Sequence, residues 1–161
     1  MKIGVISDTH GNKASILRAL EAAGPVDMWL HAGDYSQDAV FLAERSGVPV
    51  TAAAGNCDGS TTAKIDEFVT AGGKKIWLTH GHRYKVRERS AELGWWGRHY
   101  GVDIVIYGHS HVADVNWTEG LLLFNPGSTV HPRGGQSPSF GLLDISGDQV
   151  KPSIVPLRRS G

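Results

Sequence analysis

Apolar residues occur along this chain in short runs, each closed by a polar residue or a glycine. Residues 2–7 form a β-branched run that stops at Asp8. Residues 13–23 place Ile16, Leu17, Leu20 and Ala23 at helical spacing, and Gly24-Pro25 ends them. Residues 26–32 read as a second strand broken by Gly33. Residues 38–45 read as a helix with Val40, Phe41 and Ala43 inward, and 48–54 as a third strand broken by Gly55. This alternation predicts βαβ units on a parallel sheet. In the second half, 67–71 and 75–79 flank Gly72-Gly73 as a hairpin. A charged helix follows over 86–100, then a buried strand over 102–107 that ends at Gly108. Shorter strands are expected at 112–117, 121–125, 139–145 and 149–156. The fold class is α/β: a four-layer α/β/β/α sandwich of two mixed sheets flanked by helices. A single domain over 1–161 is expected, with 158–161 a frayed tail.

Composition narrows the class. No apolar run approaches the ~20 residues of a membrane span, and the first run meets Asp8 too soon for a signal peptide. A cytoplasmic location with no membrane partner is therefore expected. The 161 residues can bury a core without staples, and the lone Cys57 excludes both an internal disulfide and a multi-cysteine zinc cluster. Lys+Arg and Asp+Glu are 16 each, so the chain is neutral and lacks the basic field that long nucleic acids require. A small anion held at a local positive site remains open. Glycine, at 21 of 161, is well above the usual ~7%, and most of the 8 histidines lie in glycine-flanked segments.

Five segments share one layout, a metal-competent side chain directly after an apolar strand. They are Asp8-Thr9-His10, Gly33-Asp34, Gly55-Asn56-Cys57-Asp58, His80-Gly81-His82 and Gly108-His109-Ser110-His111. Ligands of open α/β sheets gather at the carboxyl ends of strands, so five such loops can converge. Imidazole with carboxylate and almost no thiolate suits Mn, Fe, Zn, Ni or Co rather than Ca or Mg. The donors are too many for one ion and about enough for two, the arrangement used for in-line displacement at phosphorus. Two divalent ions against Asp8, Asp34 and a hydroxide leave a net positive site, which favours a phosphate anion.

These five segments, in order, resemble the calcineurin-like metallophosphoesterases. The small size, the GNCD segment and Asn125-Pro126-Gly127-Ser128 are similar to the small prokaryotic phosphodiesterase branch, itself related to the eukaryotic retromer small subunit. The resemblance runs from Lys2 to about Leu157. It implies that Asp8, His10 and His111 hold one ion, that Asn56, His80 and His109 hold the other, and that Asp34 bridges both. It also implies a bridging hydroxide as nucleophile, with Asp8, Asp34, Asn56, His80 and His109 as the catalytic set. Manganese is the first expectation, with iron, nickel, cobalt and zinc as alternatives. One departure stands out: Cys57 occupies the place where many relatives carry histidine. A thiol there is a poor general acid, so diesters with acidic leaving groups are the expected substrates. The alternatives are a non-catalytic scaffold like the retromer subunit, a nuclease, or a cyclic-nucleotide phosphodiesterase.

Plainer roles stand beside these. Asp8 can cap the next helix, as can Asn12. His31 reads as a satisfied core histidine and His99 as solvent-facing. His82 reads equally as a phosphate contact, a partner that orients His80, or a surface residue beside Arg83. Asp58, His131 and Arg133 have open roles, and Asn125 to Ser128 is turn chemistry first. Trp95 and Trp96 point about 100° apart on one helix, so they cannot share a core stripe. One of them is a candidate contact in a homodimer or homotetramer or over the active site, with partial burial at the domain edge as the equal alternative. The expected partner is a small phosphodiester substrate.

Overall fold

A computed structural model describes residues 1–35, 37–56, 58, 63–82 and 91–157. Cys57, Arg83 and the expected tail at 158–161 lie outside the described residues.

The N-terminal half lays down three parallel strands and two helices. Strand β1 (Lys2–Ile6) leads to helix α1 (Lys13–Ala23), β2 (Met28–His31), helix α2 (Asp38–Ser46) and β3 (Val50–Ala52). Asn12 caps α1, its side-chain oxygen accepting the Ser15 N–H at 2.9 Å, so Asp8 is not needed as the cap. α1 buries Ser15, Ile16, Ala19 and Ala23. Leu17, expected inward, is 43% exposed because it lies about 100° round the helix from Ile16. α2 buries Leu42. Val40, two residues earlier and about 200° away, is therefore turned outward, and Phe41 and Ala43 are half-buried.

The second half supplies β4 (Asp66–Ala71), β5 (Lys74–Thr79), α3 (described over Ala91–Tyr100), β6 (Ile104–Ile106), β7 (Asp114–Thr118), β8 (Leu121–Asn125), β9 (Ser139–Ser146) and β10 (Gln149–Pro156). One sheet runs β10-β9-β1-β2-β3, the other β4-β5-β6-β8-β7. Both are mixed: β1, β2 and β3 are parallel, as are β5, β6 and β8, while the flanking strands pair antiparallel.

Three apolar clusters fix the layering. Ile3, Val5, Leu30, Ile76, Ile104, Leu122, Phe124 and Leu143 fill the space between the sheets. Ile6, Ile16, Ala19, Trp29, Leu42 and Phe140 join α1 and α2 to the outer face of the first sheet. Trp77, Leu93, Val105, Leu121 and Leu123 join α3 to the second. The result is the expected α/β/β/α sandwich. No helix of the described residues is long and apolar enough to cross a membrane.

Candidate metal centre

Five of the six parallel strands lead into a residue of the site. Asp8 follows β1, Asp34 follows β2, Asn56 follows β3, His80 follows β5, and His109 and His111 follow β6. Contacts across the sandwich join the two sets of strand ends: Nε2 of His80 and of His111 lie 3.0 and 3.1 Å from Oδ1 of Asp8. Residues 72 and 103 positions apart in sequence thus meet at one carboxylate. This is a consequence of parallel strands whose carboxyl ends share an edge.

The backbone bends hard to achieve this. Asp8, His10, Asp34, His109 and His111 all lie in the left-handed region, with φ of 54°, 46°, 55°, 69° and 59°. Such conformations cost ~1–3 kcal/mol each and cluster at functional sites. Neighbouring glycines leave room for the side chains. A Cβ on Gly33 would meet His80, one on Gly55 would meet Asp34, and one on Gly108 would meet Ser7 and Asp8.

Ligand atoms of Asp8, His10, Asp34 and His111 all lie within 4.8 Å of one another. His80 Nε2 is also 3.5 Å from Asp34 Oδ2, and His10 Nε2 is 3.6 Å from that oxygen. The backbone N–H of His109 donates to Asp8 Oδ2 at 3.2 Å, and its ring stands 5.0 Å from that of His80. Asn56 is exposed, and its side chain makes no hydrogen bond among the described residues. It starts from beside Asp34, because Gly55 packs on Asp34 directly. The expected set for one ion is thus gathered. Of the other set, His80 adjoins the cluster, His109 stands next to His80, and Asn56 faces outward.

Two details fit a bound cation. His10 Nε2 is buried without a hydrogen-bond partner among the described residues, yet it lies near Asp34. His111 donates from Nδ1 to the His131 carbonyl at 2.7 Å. Its neutral ring therefore turns the Nε2 lone pair toward Asp8 Oδ1, a repulsive contact unless a cation or a proton lies between them. Burial would lower the His111 pKa, but the hydrogen bond and charge of Asp8 outweigh it and raise it. Burial would raise the Asp8 pKa, but hydrogen bonds to His111 and His80 hold it far below the usual carboxylate range. His10 is shifted down by burial, against the pull of Asp34 and Asp8, which favours the neutral ring that a metal needs.

Hydroxyls and amides hold these loops from behind. Ser7 Oγ donates to Asp8 Oδ2 at 2.6 Å and Ser128 Oγ to the Asp8 carbonyl at 2.8 Å. Asn125 Nδ2 donates to the Gly108 carbonyl and to Ser110 Oγ. The turn at Asn125 to Ser128 thus supports the site as well as reversing the chain. Asp58 closes its own loop by accepting the Gly55 N–H at 2.6 Å. His82 Nδ1 is 3.3 Å from His80 Nδ1, which fits an orienting role. The exposed ring of His131 stands 5.4 Å from that of His10. The exposed Arg133 donates its backbone N–H to the His111 carbonyl. His31 is fully buried with both ring nitrogens engaged, as expected of a core histidine. Ser7, Thr9 and Asp38 carry no mark in the sequence beyond polarity near a strand end or helix start.

Residues 1–148 match the calcineurin-like phosphoesterase superfamily domain. The chain is 31% identical over 149 residues to "Probable metallophosphoesterase YsnB" of Bacillus subtilis, spanning 92% of this chain and 86% of that protein. It is 30% identical over 172 residues to a phosphodiesterase of Methanocaldococcus jannaschii, spanning 96% of this chain and 99% of that one. In shape it is similar to Vps29 of Entamoeba histolytica in complex with zinc, with a TM-score of 0.76 at 24% identity over 96% of this chain and 98% of the other.

Proposed function

The chain belongs to the calcineurin-like phosphoesterase superfamily, and from that premise we propose that it is a metal-dependent phosphodiesterase using two divalent ions. The observation that carries the two-ion reading is the position of Asp34. One of its oxygens lies 3.6 Å from His10 Nε2 and 3.5 Å from His80 Nε2, between one imidazole of each expected ligand set. Asp8, His10 and His111 would hold one ion, His80, His109 and Asn56 the other, and Asp34 both. Asn56 is exposed, and the preceding Gly55 packs against Asp34. When bound, such ions polarise phosphoryl oxygens and acidify a water.

The chain's own residues do the rest. Asp8 and Asp34 are nearly inaccessible to solvent, which strengthens their hold on cations. Ser7, Ser128 and the His109 amide fix Asp8 in one orientation, and His82 does the same for His80. The neutral chain favours a small phosphodiester over a long nucleic acid. Manganese is the first choice of ion, with iron, nickel, cobalt and zinc as the alternatives.

Elemental analysis of protein purified without added metal should find about two equivalents of transition metal per chain. Asp34→Ala should lose them together with turnover of an aryl phosphodiester. Metal-free Asp34→Ala protein with full activity would overturn the proposal. A preference for acidic leaving groups follows from Cys57, since loss of a general acid costs ~10²–10⁴-fold on basic alkoxides. Cys57→His should narrow the gap between aryl and alkyl esters. An unchanged ratio would remove cysteine as its cause.

A further inference from the structure

Behind the metal centre, three buried side chains form one directed chain of hydrogen bonds. His31 Nδ1 accepts the Gly33 N–H at 3.1 Å. A neutral ring bonded in this way carries its proton on Nε2, which faces Thr9 Oγ1 at 2.9 Å and donates to it. The Thr9 hydroxyl keeps its own proton to give, and it donates to Asp38 Oδ2 at 2.5 Å. The same carboxylate oxygen accepts the Gly11 N–H at 2.9 Å. Each donor finds an acceptor, and no other assignment of the imidazole protons satisfies both contacts. Thr9, His31 and Asp38 are all buried.

The chain ties together two of the loops that carry left-handed residues. Thr9 stands between Asp8 and His10, both left-handed. Gly33 precedes Asp34 and Tyr35, also left-handed, and the Tyr35 carbonyl accepts the N–H of Asp38. Conformations of this kind persist only where surrounding contacts over-determine them. Main-chain bonds alone do not do so, since the Asp8 N–H to Gly33 carbonyl link is one bond between two loops.

We propose that His31, Thr9 and Asp38 are positioning residues that set the separation of the Asp8–His10 loop from the Gly33–Asp34 loop, and thereby the affinity of the site for its ions. The inference rests on the reading of the cluster as a metal site. None of the three is among the expected metal ligands. Thr9 is the hinge of the device, because its hydroxyl is at once acceptor and donor. A serine preserves that, whereas an isosteric valine does not.

The test is calorimetric titration of metal-free protein with Mn²⁺, using wild type, Thr9→Ser, Thr9→Val and His31→Phe. Circular dichroism and thermal melts of the same metal-free samples serve as the fold control. Thr9→Val and His31→Phe should bind Mn²⁺ ~10–100-fold more weakly than wild type, the range seen when outer-layer partners of metal ligands are removed. Thr9→Ser should bind within a few-fold of wild type. If Thr9→Val does not fold, His31→Phe and Thr9→Ser decide. Wild-type affinity in both Thr9→Val and His31→Phe overturns the inference while leaving the metal site intact. Weak binding by Thr9→Ser overturns it too, since the methyl packing would then matter instead of the hydroxyl. Wild-type protein that binds no Mn²⁺ overturns the reading of the site itself, and the inference with it.

Discussion

Asp8 shows how much one side chain can be asked to do when it is buried among partners. Its carboxylate faces two imidazoles, a hydroxyl and a backbone amide, and its carbonyl accepts a further hydroxyl. The acid and the imidazoles are legible in the sequence because metal-binding side chains directly after apolar runs are uncommon. Ser7, Thr9 and Asp38 are not legible, because a hydroxyl or carboxylate has no meaning until folding supplies its partner. Thr9 and Asp38 are 29 positions apart, and Ser128 and Asp8 are 120 apart. His31 carries a prediction at this scale. Burial lowers its pKa, so the fold holds the neutral ring. Below about pH 6.5 the unfolded chain takes up a proton at this position while the folded chain does not. His31's contribution is therefore fully present above that value and lost as pH falls through its lower folded pKa. Denaturant unfolding of metal-free wild type and His31→Phe should show a constant stability difference above neutrality. On acidification the difference should move against wild type. A difference that stays flat from neutral to mildly acidic pH would count against a neutral, buried His31.

At the scale of elements, the expected strands exist but end early on the side of the site. Residues 48–54 pair as a strand only over Val50–Ala52, and 26–32 only over Met28–His31. The apolar signal continues because Ala32, Ala53 and Ala54 are buried in the segments that lead to the site, where their N–H groups still donate to the Ile6, His31 and Lys64 carbonyls after the regular strands have ended. Periodicity reports burial, and here burial outlasts the regular strand pairing. The turns obey a different constraint. Gly47 ends α2 at φ 71° with nothing within 4 Å of a notional Cβ. Gly33, at φ 101°, would press a Cβ into the ring of His80. Gly47→Ala should thus cost about 1 kcal/mol, the strain of a left-handed alanine alone, and leave Mn²⁺ binding unchanged. Gly33→Ala adds overpacking of ~1–3 kcal/mol to that strain and displaces His80, so it should lose both stability and Mn²⁺ affinity. Urea unfolding and metal titration of the two variants side by side separate a turn that merely reverses the chain from one that makes room for a neighbouring loop.

For the whole molecule, the layers were legible and the order of strands was not. Alternation of strand and helix implies helices packed on sheets. That β9 returns to lie against β1, pairing Lys2 with Asp144, is a long-range choice with no local mark. Nor does the sequence show which aromatic residues reach the surface. Trp96 packs toward the cluster under α3, whereas Trp95 is 55% exposed, the divergence expected of adjacent helical positions. Phe68 on the edge strand β4, 55% exposed, and Tyr100, 42% exposed, meet each other edge to face at 5.4 Å, and Tyr100 stacks on Trp96, whose ring also meets that of Trp95. Large aromatic side chains held in contact with one another and left open are the composition of an interface core. A formal charge of zero leaves no net repulsion between copies, so we propose a second copy of this chain as the occupant, in a homodimer or homotetramer. Light scattering of the eluting protein should give a mass that is a multiple of 17.3 kDa. Trp95→Lys replaces the exposed aromatic ring of α3 by a charge and should reduce that mass to one chain, with the circular dichroism spectrum unchanged. A wild-type protein that elutes at the mass of one chain at tens of micromolar would rule the second copy out. A Trp95→Lys assembly of undiminished mass would move the interface to another face.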